Sequence, residues 1–526
     1  MSGTAPWWRG AVVYQVYVRS FADGNGDGVG DLAGLLSKLD YIASLGVDAI
    51  WLSPIHPSPN RDWGYDVSDY DSVNPEYGSD SDFDRLLAEA HARGLRILTD
   101  EVLAHTSDEH KWFRASLEGG AEADWYVWAP PREDGTAPNN WLSAFGGPAW
   151  SYHPARRNYY HHKFLRQQPK LNWCNPQARE AALGVLDRWL VRGVDGFRLD
   201  VANALLHDPA LTDNAAVPKG DRRAWHWAHA TNLQSHCHDS NVEANLSVLN
   251  EIRRRVERYP DRFVMGEFSE EPKRCGGFEA PTKGLHSGYS FPLLEARRLD
   301  PHFIREHYEN LAGYPDHWPS VAFSNHDVVR AVTRFGGRET TPALARMLLA
   351  LLISLRGTIL LYQGEELGLP QAELRREQIK DPVGDLYYPL SRGRDGCRTP
   401  MPWDADAPNF GFSTGTPWLP LSPAHRDLSV SVQDDDAHST LAHARCLLSV
   451  RKNSAALRLG EIAFLDTPSP MLAFLRTYEQ ERVLCAFNMS KSEASFRDRL
   501  VAAAAPLAVG NGASRVTGDV LSASPY

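Results

Sequence analysis

Three acidic side chains in short, distinctive contexts carry the strongest chemical signal in this chain. Asp200 closes the segment GFRLD (196–200), Glu267 sits in GEF (266–268), and Asp327 closes FSNHD (323–327). A fourth segment, DEVLAH (100–105), contributes Asp100 and His105. Each segment follows an apolar run and delivers an acid, an Arg or a His. Two converging carboxylates are the usual apparatus for breaking a glycosidic bond, and a third can hold the sugar and its developing positive charge. Arg198 lies two residues before Asp200. Strand alternation puts the two on one face, where the Arg charge favours an ionised, nucleophilic Asp. Glu267 follows Phe263, Val264 and Met265. An apolar setting beside another carboxylate raises a Glu toward neutrality, as a general acid requires. His105 and His326 are donors suited to sugar hydroxyls.

These residues need elements that bring distant segments to one rim, and the sequence predicts them. Strand-like runs occur at 12–18, 49–52, 95–98, 196–199, 263–265, 321–323 and 359–362, with a weaker one near 288–291. Helix-like periodicity falls between them, over 32–45, 83–92, 178–191, 242–256 and 343–355. Repeated β-α units imply an α/β fold with a parallel sheet and helices outside. A closed eight-stranded (β/α)8 TIM barrel is the economical arrangement, with an open doubly wound sheet as the competitor. Residues 1–103 and 173–450 are assigned to the barrel. Residues 104–172 have no clear period and are too long for an ordinary loop, so they read as an inserted domain after strand three. Residues 366–421 form an irregular subdomain dense in Pro, Asp and Arg, and 451–526 read as a C-terminal β domain.

Composition narrows the partners. The net charge of −11 argues against nucleic acid, whose binding needs basic patches. The 16 Trp, 19 Tyr and 19 Phe suit a site that packs aromatic planes on sugar rings. The six cysteines form no C-x-x-C pair, so free, mostly buried thiols in a reducing compartment are expected. The N-terminus shows no export signal, and the longest apolar run, 347–355, is far short of the ~18 residues a membrane span needs. A cytoplasmic protein with a small-molecule partner and no membrane partner is the expectation; monomer and homodimer both stay open. His226, His229, His236, Cys237 and His238 crowd together but lack a zinc-ligand spacing.

One loop reads as a structural metal site. Asp23, Asn25, Asp27 and Asp31 place oxygen side chains at alternate positions of a Gly-rich loop, with Val29 among them. Hard cations take this ligand set. Position twelve is Gly34 rather than Glu, and a strand precedes the loop, so it is not an EF-hand.

The opening WWRGAVVYQVYVRSFAD, GYDVSDY (64–70), GFRLD, FSNHD and RTPMPW (398–403) together resemble the α-amylase superfamily, glycoside hydrolase family 13. Within it they resemble the bacterial α-glucosidases and oligo-1,6-glucosidases, from about residue 6 into the C-terminal domain. The resemblance implies a TIM barrel, an inserted domain, a C-terminal antiparallel β-sandwich and a retaining mechanism. Asp200 would be the nucleophile, Glu267 the acid/base and Asp327 the transition-state stabiliser. Substrate contacts are implied for Asp62, Tyr65, His105, Phe164, Gln168, Arg198, His326 and Arg394. Asp62 and Arg394 would close the non-reducing end of the pocket, with Tyr65 stacked on the glucose. The loop Asp23, Asn25, Asp27, Val29, Asp31 would hold Ca²⁺ or Mg²⁺, and no organic cofactor is implied.

Two positions depart from the pattern. Ala104 stands where the family usually has an Asn that ligates calcium, so a ligand of that second calcium site is missing. Lys170, in QPKLN, stands where the motif has Asp. Val201 resembles the α-1,6-preferring enzymes, whereas the wider sequence is closer to the α-1,4 and transglucosylating group. The expected function is an exo-acting α-glucosidase working through a covalent glucosyl-Asp intermediate, α-1,4 links favoured. The alternatives are a trehalose synthase or sucrose-acting relative, and a non-catalytic transporter-associated or binding member.

Overall fold

The computed structural model describes residues 5–218, 230–269, 278, 283–311, 314, 316–337, 339–505 and 514–526. His226, His229 and Cys275 lie outside the described residues. Eight strands form one sheet: β1 (Val12–Val16), β2 (Ala49–Leu52), β3 (Arg96–Glu101), β4 (Gly196–Leu199), β5 (Phe263–Phe268), β6 (Ser287–Ser290), β7 (Ser320–Val321) and β8 (Thr358–Tyr362). Their order is β7-β8-β1-β2-β3-β4-β5-β6, and every pairing is parallel. A parallel bridge from Gly288 to Pro319 joins β6 to the chain entering β7 and closes the cylinder. This is the predicted TIM barrel.

Alternation along the strands explains both the core and the polar rim. One apolar cluster takes Val13 of β1, Ala49 and Trp51 of β2, Leu98 of β3, Phe263 and Met265 of β5, Tyr289 of β6 and Leu360 of β8. The intervening residues Val12, Tyr14, Ile50, Ile97, Val264, Ile359 and Leu361 belong to a second cluster, shared with residues of the surrounding helices. Side chains two apart share a face. The face that fills the cylinder therefore continues upward into Gln15, Asp100, Arg198 and Glu267 at the C-terminal strand ends. Apolar filling below and polar groups above is the layering of a closed parallel barrel.

The helices between strands carry ordinary signals. The helix Pro176–Arg192 begins on an Asn175 cap whose side chain accepts from the Gln177 and Ala178 N–H groups. It ends on Gly193, in the left-handed conformation that Gly adopts readily. The single helix predicted over 32–45 instead breaks at Lys38 into Leu32–Ser37 and Leu39–Leu45. Lys38 leaves helical geometry there, and its ammonium sits 4.5 Å from the Trp403 ring centre.

Between β3 and β4, the strands Trp128–Ala129, Asn158–His161 and Trp150–His153 make a small antiparallel sheet over Trp141 and Trp150. After the barrel, the helix Thr440–Asn453 runs across residue 451, and the first terminal strand starts at Glu461. Two three-stranded antiparallel sheets follow, packed through Met471, Ala473, Phe496 and Val501. Buried Arg451 ties this end to the barrel: its guanidinium donates to the carbonyls of Gly10, Ile353, Leu355 and Gly357. Of the described cysteines, Cys397 and Cys485 are buried, whereas Cys174, Cys237 and Cys446 are exposed. The thiols are therefore free but not mostly buried, because three of them fall on outward-facing positions. Among the described residues, no helix is long and apolar enough to cross a membrane.

Strand β4 approaches β5 so closely at Gly196 that a Cβ there would lie 1.9 Å from the Phe263 carbonyl oxygen. Gly196→Ala should force β4 and β5 apart and destabilise the protein by about 3 kcal/mol. Urea unfolding monitored by tryptophan fluorescence checks this.

Candidate active site

At the C-terminal rim one guanidinium organises the carboxylates. Arg198 Nη1 donates to Asp100 Oδ1 at 2.7 Å and to Asp200 Oδ1 at 2.8 Å. Its Nη2 lies 2.7 Å from Glu267 Oε1. The Tyr289 hydroxyl accepts from Arg198 Nε and Nη2 and donates to Glu267 Oε1 at 3.1 Å. Arg198, Asp200 and Glu267 are all buried. Asp200 and Glu267 thus meet across a single guanidinium.

Three carboxylates against one cation in a buried setting cannot all ionise easily. Burial, then the Asp100 and Asp327 charges, push the Asp200 carboxyl up to about 7, with Arg198 opposing. Burial, then the Asp200 and Asp327 charges, push Glu267 to about 7 as well, again against Arg198. Asp100 rises to about 6, mainly through burial. The expectation that the Arg198 charge keeps Asp200 ionised therefore covers only part of the balance. Asp327 behaves oppositely. Burial works against its ionisation, but His326, Arg394 and Arg398 outweigh it and hold the carboxyl below its ordinary value. Arg394 Nη1 and Arg398 Nη2 donate to its Oδ1 at 3.1 and 2.9 Å.

Burial disfavours charge on two histidines of the site. Burial lowers His326 to about 3 and His105 to about 4. Gln15 Nε2 donates to His326 Nδ1 at 2.7 Å, so the ring proton sits on Nε2, which faces the Tyr65 hydroxyl and Asp327 Oδ2. Tyr65 in turn donates to Asp100 Oδ2 at 2.9 Å and stacks on His326 with ring centres 5.2 Å apart. His105 donates from Nε2 to the Tyr65 carbonyl and packs beside Phe164.

Asp62 and Arg394, far apart in sequence, form an ion pair at 2.6 Å. Gln168 Nε2 donates to the other Asp62 oxygen at 3.1 Å and to the Tyr65 carbonyl at 3.2 Å. Phe164 contacts Phe145, whose ring lies 5.0 Å from the Arg394 guanidinium carbon. A continuous set of contacts therefore links every residue named for catalysis or sugar binding. Sequence reasoning gave no role to Gln15, Trp51, Tyr289, Asp381 or Arg398. Trp51 Nε1 donates to Asp100 Oδ2 at 3.1 Å, and Asp381 holds Arg394 at 2.7 Å. Arg398 opens the quoted RTPMPW motif, and strand parity marks Gln15 and Trp51 as inward-facing. Asp381 carries no comparable signal.

The Asp23–Asp31 loop is wound by its own side chains. Asp23 Oδ1 accepts from the Asn25 and Gly26 N–H groups, Asn25 Oδ1 from Asp27, and Asp27 Oδ1 from Val29. Asp31 accepts from Gly24, Asn25 and Gly34. Burial raises the Asp31 carboxyl, and the nearby Asp23 charge adds to the rise. Among the described residues, no three His, Cys, Asp or Glu side chains are drawn together tightly enough to hold an ion. The all-oxygen donor set, and the repulsion between Asp23 and Asp31, fit a hard cation chemically. His236 instead sits on Asp239 and Thr231.

The family model for the alpha amylase catalytic domain matches residues 15–460. A probable alpha-glucosidase of Rhizobium meliloti is 48% identical over 499 residues, covering 93% of this chain and 90% of its own length. An oligo-1,6-glucosidase of Heyndrickxia coagulans is 36% identical over 528 residues, covering 93% of each. The crystal structure of an alpha-glucosyl transfer enzyme, XgtA, superposes with a TM-score of 0.96 at 48% identity, covering 99% of this chain and 98% of that one.

Removing the shared cation should expose the strain of the carboxylate cluster. Arg198→Met is expected to cost about 3–5 kcal/mol, because it leaves buried charges uncompensated. The raised Asp200 and Glu267 contribute stability present below about pH 4 and lost as pH rises through about 7. The variant raises both groups further, so the gap in urea midpoint from the wild type should be wider at pH 8 than at pH 5.

Proposed function

The chain belongs to the α-amylase family, glycoside hydrolase family 13, and from that premise we propose that it is a retaining, exo-acting α-glucosidase that releases or transfers glucose from the non-reducing end of short α-glucosides, α-1,4 links favoured. As a glycoside hydrolase it is an enzyme, which sets aside the non-catalytic reading. The observation that carries the proposal is the bridging of Asp200 and Glu267 by Arg198 at the barrel rim.

The Asp200 carboxylate attacks the anomeric carbon while protonated Glu267 gives its proton to the departing glycosidic oxygen, leaving a glucosyl ester on Asp200. Glu267 then takes a proton from an incoming hydroxyl. That hydroxyl attacks the same carbon from the opposite side and frees Asp200. The electrostatics support this division: the apolar, carboxylate-rich surroundings keep Glu267 protonated up to about 7. Once Glu267 is protonated, Arg198 is shared by fewer charges and favours ionised Asp200. Asp327, held ionised by two arginines, suits hydroxyls of the bound glucose and the charge on its ring. The Asp62–Arg394 pair supports a pocket closed at one end, hence single-glucose removal. The likeness to an alpha-glucosyl transfer enzyme supports acceptors other than water.

Incubation with maltose, isomaltose, sucrose and trehalose, followed by chromatography, tests the reading. Glucose release and transfer should be fastest from maltose; no turnover of any α-glucoside overturns the proposal. Asp200→Asn should lower kcat by about 10³ or more with an unchanged circular dichroism spectrum, and retention of even a few per cent of activity rejects Asp200 as nucleophile.

We also propose that the loop of Asp23, Asn25, Asp27, Val29 and Asp31 binds Ca²⁺, or Mg²⁺ in its place. The loop packs on the irregular region, since Asp23 N donates to the Phe412 carbonyl and Trp418 N to the Gly28 carbonyl. A cation there would brace this junction rather than act on substrate. Chelation should lower the melting temperature, Ca²⁺ should restore it, and Asp27→Ala should remove the response.

A further inference from the structure

The residue after the nucleophile is held in an unfavourable conformation. Val201 has φ 44° and ψ 46°, a left-handed geometry that is a genuine outlier for a β-branched residue. It brings the Val201 N–H to Glu267 Oε2 at 3.3 Å. Such strain persists only where the surroundings over-determine it, and the turn Ala202–Ala204 that follows is held from two sides. On the barrel side, Asn245 Nδ2 donates to the Ala202 carbonyl at 2.8 Å, and Asn245 Oδ1 accepts from the Leu206 N–H. On the other side, the Lys170 ammonium donates to the carbonyls of Ala204 and Leu205.

Lys170 is built into the inserted lobe. It pairs with His105 in an antiparallel bridge, its N–H donates to the His161 carbonyl at 2.9 Å, and its carbonyl accepts from Val127 N–H at 3.1 Å. Its side chain is buried, and burial pushes the ammonium down to about 7, with Lys163 adding to the effect. Asp239, the acidic charge that favours the ammonium, is itself bonded to Lys163 and His236. A buried cation answered only by carbonyls is expensive. The Asp of the resembled motif could not make these bonds, because a carboxylate does not donate to a carbonyl. This chain therefore uses a different link at this point.

We propose that Lys170 is a positioning residue for the acid/base carboxyl: from the inserted lobe it clamps the turn after Asp200, and the clamped turn holds the Val201 N–H against Glu267. The proposal rests on the reading of Glu267 as acid/base. Loss of the clamp lets Val201 relax, withdraws the N–H and misplaces the proton donor, while Arg198 still holds Asp200.

Leaving-group dependence separates this role from a merely structural one. A 4-nitrophenolate leaves without a proton, whereas the glucose leaving from maltose needs one from Glu267. Lys170→Met should lower kcat/KM for maltose about tenfold or more, with the loss in kcat, and lower it less than about threefold for 4-nitrophenyl α-glucoside. Glu267→Gln serves as the control and should show the same selectivity in larger measure. Equal losses on both substrates, or no loss on maltose, overturn the proposal. Lys170→Gln, which keeps an N–H donor without the charge, is read in the same way if the Met variant does not fold. Failure of both to fold overturns the proposal in favour of a purely structural lysine. Wild-type enzyme inactive on both substrates, or Glu267→Gln without selectivity, would instead overturn the functional reading beneath it.

Discussion

The catalytic rim depends on one buried guanidinium. Arg198 sits where three strands end, and its two terminal nitrogens reach Asp100, Asp200 and Glu267 while Tyr289 closes the remaining side. A buried charge is tolerable when it is paired and hydrogen-bonded, and each carboxylate here is tolerable only because the same Arg serves the others. The arrangement is deliberately short of positive charge. Full compensation would leave both Asp200 and Glu267 ionised and no proton to give; no compensation would leave both neutral and no nucleophile. One cation for three acids keeps a proton within the cluster near neutrality, and protonation of one carboxyl releases more of Arg198 to the next. The pair titrates as a unit in such a cluster, so under the proposed mechanism the acid and the nucleophile are told apart by position and by the bonds each makes.

The second charge cluster is richer in cations, with two for three acids. Asp62, Asp327 and Asp381 meet Arg394 and Arg398, and ionisation of Asp327 and Asp381 is favoured, while burial raises Asp62. This half of the rim comes from loops and the irregular region, whereas the half around Arg198 comes from strand ends. The division suits the roles proposed for each. Proton transfer needs groups poised between two states, which rigid strands can hold in register. Sugar recognition needs fixed charges, which loops can deliver when arginines lock them together. The neutral His326, with its proton on Nε2, joins the halves by bonding toward both Tyr65 and Asp327.

Much of this was legible in the sequence because strand parity is strict. Residues 263, 265 and 267 share a face, so an acid at the end of an apolar strand has to emerge at the top of the cylinder. The same rule covers Asp100 after Leu98 and Arg198 after Gly196. Parity turns Gln15 and Trp51 inward without assigning them a role, and outside the strands it gives no guidance at all. Asp381 reaches Arg394 from an irregular segment, whereas the meeting of Asp62 and Arg394 was expected from the family resemblance and not from any local pattern. The break at Lys38 escaped too, because the hydrophobic period runs through it unchanged while the contact with Trp403 comes from a distant loop. Cysteine exposure was misjudged because a residue type's average burial does not say which positions fall in a turn or bend, as Cys174 and Cys237 do, or on an outer helix face, as Cys446 does.

Buried cations answered by backbone carbonyls recur at the joints between the barrel and its additions. Arg451 and Arg476 hold the C-terminal region through carbonyls near the end of the helix Pro342–Ser354. Arg330 reaches the carbonyls of Gln363 and Cys397, tying the β8 loop to the irregular region. Lys170 does the same between the inserted lobe and the turn after the nucleophile. Carbonyls at the ends of helices and turns are left without partners by the helix itself, and a long cationic side chain from a neighbouring unit satisfies several at once. The device fixes orientation more sharply than apolar packing, because each N–H must meet its own oxygen. It also explains why additions far apart in sequence can bear on the chemistry of one rim. The barrel supplies the strand ends, and cations reaching in from outside the strands set the geometry of the turns that follow them.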